Sequence, residues 1–102
     1  MYKSFDWYLI FRHCMLLVSK GESTKALKQL EDLLIDPDVI DQPELHAQCL
    51  LVKSEALVSG GNSGAALTAL VTAYSIATTY HLAYIAALIK LHLSAVQVNS
   101  IV

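Results

Sequence analysis

His46-x2-Cys49 places an imidazole and a thiol one helical turn apart, and His13 and Cys14 lie side by side nearer the start of the chain. These residue types bind zinc, but a structural site needs four ligands in one tetrahedron. The internal register described below sets His13 and Cys14 a turn or two further along their helix than His46 and Cys49, so the four do not converge. Buried thiols with capping or surface histidines are the simpler reading, and no metal is expected. Asp36, Asp38, Asp41 and Glu44 form an acidic loop without the glycine and spacing of a calcium loop. Asp41 and Glu44 instead complement the positive end of a helix beginning at Pro43. G-x-S-x-G, H-E-x-x-H and a phosphate-cradling glycine loop are all absent. Gly60, Gly61 and Gly64 read as a helix stop and a close-packing turn. The expectation is a protein without catalytic residues or cofactor, not an enzyme.

Whatever these side chains do, helices must hold them. The chain has 102 residues, enough for one domain, and its 55% apolar content and mean hydropathy of +0.49 exceed what a core of that size needs. From Ala56 to Ile89 there is no Asp, Glu, Lys or Arg. A membrane span needs about 20 consecutive apolar residues. Gly60 to Gly64 and Thr78 to His81 interrupt the run, leaving pieces at 65–77 and 82–89 that are too short, so burial in protein is expected and no membrane contact. The net charge of −2 and the scattered Lys and Arg argue against nucleic acid. The start, MYKSFDWYLIFRH, lacks the layout of a signal peptide, and both cysteines read as reduced, buried thiols of a nuclear or cytoplasmic protein.

The segments SKGESTKALKQLEDLL and SGGNSGAALTALVTAY align without a gap at an offset of 40, placing Gly21 on Gly61, Ala26 on Ala66, Leu27 on Leu67, Leu30 on Leu70 and Leu33 on Ala73. The preceding helices follow the same register, with Ile10, Cys14 and Leu17 on Leu50, Ser54 and Leu57, and then on Lys90, Ser94 and Gln97. The next turn would fall at Ile101. The predicted fold is all-α, antiparallel helical hairpins in one array over 1–102, with units at about 5–40 and 43–80 and a truncated third at 82–102. Five helices are expected, the first at about 5–20, the second at 23–35, the third at 43–59, the fourth after the turn at Gly60 and Gly61, and the fifth at 82–98. Ser23 is the expected N-cap of the second, Pro43 the first residue of the third, and Asn62 or Ser63 the cap of the fourth.

This spacing resembles the tetratricopeptide repeat, whose pattern sets a small residue in the first helix and an alanine in the second. Cys14, Ser54 and Ser94 hold the first position, and Ala26 and Ala66 the second. The period of 40 exceeds the family's 34, and the family's first-helix Trp and Tyr are missing. A narrower likeness lies in Ala66-Leu67-x2-Leu70-x2-Ala73-x6-Tyr80-x-Leu82-x-Tyr84-x-Ala86, with Gln97 beyond. Over residues 45–97 it is similar to the tetratricopeptide-like array of the anaphase-promoting complex subunit 5 family. That resemblance implies a non-catalytic scaffold segment of a multi-subunit ubiquitin ligase, with neighbouring protein subunits as partners. The alternative is an adaptor binding peptide or chaperone partners.

Carrying the family's concave groove onto this chain gives Tyr8, Phe11, Met15 and Val18, then Gln48, Leu51, Glu55 and Val58, then Leu88, Leu91 and Ala95. Adaptors that hold a peptide carboxylate place Lys, Arg or Asn there, and none of these positions carries one. An apolar groove of that extent exceeds the few hundred Å² that monomers usually expose, so a partner subunit, the array itself or a second copy must cover it. Self-association is expected through the last helix, whose apolar side, Ile85, Leu88, Ile89 and Val96, has no following helix in the register.

Overall fold

The computed structural model describes the backbone from Tyr2 to Ile101 and the side chains from Trp7 to Val96. Its helices are α1 (Tyr2–Ser19), α2 (Ser23–Leu34), α3 (Pro37–Ile40), α4 (Pro43–Ser59), α5 (Ser63–Thr79) and α6 (Ala83–Ile101). No strand occurs among the described residues. Gln97, assigned to the third unit by the register, lies outside the described side chains, as does that of Ile101.

Three of the connections are the same turn. The N–H groups of Glu22, Asn62 and Leu82 donate to the carbonyls of Leu17, Leu57 and Ala77 at 2.9, 2.8 and 2.8 Å. The residue before each has positive φ: 80° at Gly21, 84° at Gly61 and 58° at His81. This bonding pattern closes a helix with one left-handed residue, for which glycine is the usual choice because it lacks a Cβ. The fourth connection contains a helix that the sequence reading took for an acidic loop. Pro37 supplies the pre-set φ of a first helical position, and the Asp36 carboxylate accepts from the Asp38 N–H at 2.9 Å. Val39, wholly buried, ties this single turn to the core.

At the other helix starts, Asn62 caps α5 by accepting from the Ala65 N–H at 3.2 Å, and Pro43 opens α4. Ser23 does not cap α2. Glu22 stands at the cap, because the turn's bond from Glu22 N–H to Leu17 O fixes the chain one residue earlier, and its carboxylate pairs with Lys25 at 2.9 Å instead of capping the backbone.

α4 sits at the centre and packs against α1, α2, α5 and α6, giving a slab of 46 × 31 × 19 Å. Burial follows the 40-residue register: Ala26 and Ala66, Leu30 and Leu70, Leu33 and Ala73 are buried at equivalent positions, as are Cys14 and Ser54. Alanine at 26 and 66 lets the hairpin helices approach closely. Sealing Leu30, Leu70 and Ile89 from water contributes about 2 kcal/mol each. Ser54 remains satisfied in the core because its hydroxyl donates to Leu51 O at 2.6 Å.

The third unit departs from the expectation. Ile85, Ile89 and Val96 are buried in a cluster with Ala73 and Ala77 of α5. The tight turn at His81 folds α6 back on α5, so the side left open carries Tyr84, Ala87, Leu91 and Ser94 instead. Ser94, at the small-residue position of the register, is therefore exposed. No described helix is long and apolar enough to cross a membrane, and the charge-free run is divided between α4, α5 and α6.

Candidate protein-binding groove

One face of α1, α4 and α6 forms an open groove of about 710 Å³. α1 contributes Tyr8, Phe11, Arg12, Met15, Leu16 and Ser19, α4 contributes Gln48, Leu51, Val52 and Glu55, and α6 contributes Tyr84, Leu88 and His92. These residues recur at three- and four-residue intervals because helical neighbours on one face are three and four apart. Phe11 and Val52 are buried and make the floor, whereas Tyr8, Met15 and Leu16 are each about half exposed on the α1 wall. Tyr84 is 75% exposed on the opposite wall.

Of the sequence-derived groove residues, Tyr8, Phe11, Met15, Gln48, Leu51, Glu55 and Leu88 line this surface together. Leu51 does double duty, since it also packs against the larger core cluster. Val18 faces the core between α1, α2 and α4. Val58 and Ala95 line an adjoining, smaller hollow of about 250 Å³ with Ser54 and Val96, joined to the groove at Glu55 and His92. Leu91 is not among the groove's walls and stands 68% exposed on α6. On α6 the groove follows Tyr84, Leu88 and His92, four residues apart, rather than the interval of three that leads to Leu91. Tertiary packing of Ile85 and Ile89 on α5 sets that rotation.

Two polar groups missed by the sequence reading shape the groove. Arg12 lines it, contrary to the expectation of a face free of cations, with its guanidinium 5.7 Å from the Tyr8 ring centroid. Tyr8 in turn stacks on Phe11 at 6.4 Å. The i, i+4 spacing of Tyr8 and Arg12 was the available signal. His92 links α6 to α4: its Nδ1 lies 2.9 Å from Leu88 O and its Nε2 3.0 Å from the Glu55 carboxylate. A carbonyl oxygen only accepts, so Nδ1 donates to Leu88, and Nε2 is the ring atom that faces Glu55.

The chemistry weighed at the cysteines and histidines does not assemble. Cys14 and Cys49 come into one core cluster, closer than the register implied, while His13 lines a different hollow on the outside of α1. No group of three or more metal-ligating side chains gathers among the described residues. Burial pushes the Cys49 thiol up to about 12, helped by the neighbouring Cys14, and burial raises Cys14 as well. A thiol held protonated is a poor nucleophile and a poor metal ligand. Cys14 is further occupied by Gln29, whose Oε1 lies 3.7 Å from its sulfur.

The fold defines an all-α chain of antiparallel helices with an open, largely apolar groove across three of them. No family model, curated protein or solved structure matches it.

Proposed function

We propose that this chain is a segment of a tetratricopeptide-like helical array and works as a non-catalytic scaffold for protein assembly. The observation that carries the reading is the groove, in which the first helix of each sequence-derived unit joins one surface rich in half-exposed Tyr, Met and Leu. Aromatic residues, Met and Arg are enriched in protein interfaces, and an apolar surface suits permanent burial better than transient capture. The likeness of residues 45–97 to the anaphase-promoting complex subunit 5 family supports the further step that the assembly is that ubiquitin ligase, acting in cell-cycle control in the nucleus and cytoplasm. Arg12 favours the second reading, a peptide-binding adaptor, because it offers one charged anchor beside the apolar wall.

Met15→Asp tests both. Met15 is 48% exposed, so the substitution leaves the isolated chain folded, but in a closed interface it strands an unpaired carboxylate at a cost of several kcal/mol. The tagged chain is expected to co-purify with subunits of the ligase, and the Met15→Asp chain to lose them while keeping its helical content. Recovery of other partners, released by the same substitution, would keep the groove and replace the ligase with the adaptor reading. Unchanged recovery of the partners would remove the groove from the proposal.

A further inference from the structure

The groove and the hollow beside it meet at one pair of side chains, Glu55 of α4 and His92 of α6, which line both. Ile85 and Ile89 seat α6 on α5, and on the groove side the hydrogen bond of this pair ties it to α4. Each ring nitrogen of His92 faces an acceptor, with Nδ1 2.9 Å from Leu88 O and Nε2 3.0 Å from the Glu55 carboxylate. A neutral imidazole has a single N–H, and the carbonyl claims it because a carbonyl cannot donate. Nε2 of that neutral ring would turn its lone pair on a carboxylate, which repels it. An imidazolium satisfies both acceptors at once, and its bond to the carboxylate is charge-assisted.

Few other charged or titratable groups surround the pair. From α1 come Tyr8 and Arg12, whose guanidinium lies over the Tyr8 ring and makes no ion pair among the described residues. α6 adds Tyr84 on the groove wall and Lys90, which turns instead to Tyr74 of α5, and α5 lines neither hollow. Glu55 is therefore the one carboxylate lining either hollow beside the ring. Both members of the pair are partly exposed, so the proton on Nε2 has a path to water. We propose that the pair is a proton-dependent tie: imidazolium at His92 holds α6 to α4 where the two hollows meet, and loss of the Nε2 proton to solvent releases the α6 wall of the groove from α4. The tie does not depend on what the groove binds.

Two measurements test the tie. Nitrogen spectra of the imidazole rings in the unaltered chain, at about pH 5.5 and about pH 9 on either side of the ordinary imidazole range, should show both His92 nitrogens protonated at the lower pH and Nδ1 alone at the higher. A double-mutant cycle of Glu55→Ala and His92→Ala in urea unfolding should give a coupling of about two- to fivefold in the folding constant at the lower pH and none at the higher. Each cycle is closed at one pH, so the titration of His46 and Cys49 elsewhere in the chain cancels. Glu55→Gln supplies an amide that accepts from the charged ring and donates to the bare Nε2 of the neutral one, so it should couple to His92 at both pH values. If an alanine variant fails to fold, the ring spectra of the unaltered chain decide. A neutral ring with its proton on Nε2 would overturn the proposal, because the tie would then survive loss of the charge. So would coupling between His92 and Glu55 that persists at the higher pH, or that is missing at the lower.

Discussion

Replacing Gly61 with alanine isolates the cost of a single backbone conformation. Gly61 has φ of 84°, and an added Cβ would meet no heavy atom within 4 Å, so neither packing nor a lost hydrogen bond enters. Holding an L-residue in the left-handed region costs roughly 1–2 kcal/mol. Removing glycine restricts the unfolded chain and returns about 0.4–1 kcal/mol. Taking the middle of both ranges, the difference is a destabilisation of about 1 kcal/mol, or a fall of roughly 4–8 °C in Tm at the 4–8 °C per kcal/mol typical of a chain this size. His81 occupies the equivalent turn with φ of 58°, so His81→Gly runs the same exchange backwards and should stabilise by a similar or smaller amount. The two turns flank α5, a helix of 17 residues and about 25 Å, so the effects should add. Thermal and urea unfolding followed by circular dichroism would measure both. A Gly61→Ala protein as stable as the parent, or a His81→Gly protein less stable, would refute the claim that these turns share one geometry.

Ala66→Leu should cost on the order of 1–3 kcal/mol by overpacking a wholly buried contact, whereas Thr68→Leu, on the exposed side of α5, should change stability by about half a kcal/mol or less; equal losses in urea titrations would show the register to be wrong. Cys49 predicts an alkaline limit. The unfolded chain loses this thiol proton in the ordinary cysteine range while the folded chain holds it to about 12, so the folded state binds more protons in that window and stability falls as pH rises through it. Cys49→Ala should flatten that part of the stability profile, and an unchanged slope would count against the burial. His46 works at the other end: burial lowers it, the unfolded chain takes the proton first, and stability should fall as pH drops below the ordinary histidine range, an effect that His46→Gln removes. The open side of α6, with Tyr84 and Leu91 exposed, should make the mass from light scattering rise with concentration, and Leu91→Asp should abolish the rise; a constant mass for the parent chain would show that this side stays free.

The sequence by itself determined the helices and where most of them stop. Gly21, Gly61, Pro43 and Asn62 act within one turn of the backbone, and alanine at 26 and 66 marks the close contacts of both hairpins, so these features follow from local chemistry. Asp36-Pro37 was an equally local signal for α3, hidden because proline reads as a breaker as readily as a first helical residue. The break at Thr78 to His81 was legible from the register, but the positive φ of His81 was not, since nothing in its own type demands it; the packing of Ile85 and Ile89 on α5 imposes it. Most of the α1 and α4 groove residues could be named by carrying the resembled family's groove onto the register, because both helices belong to complete hairpins. On α6 the family's groove positions named Leu88, which lines the groove, and Leu91 and Ala95, which do not, while tertiary packing added Tyr84 and His92 and brought His92 to Glu55, 37 positions away in the chain. A helix's own sequence fixes which residues share a stripe, but its rotation about its axis is settled by the neighbours it packs against, and that rotation decided which stripe of α6 faces the groove.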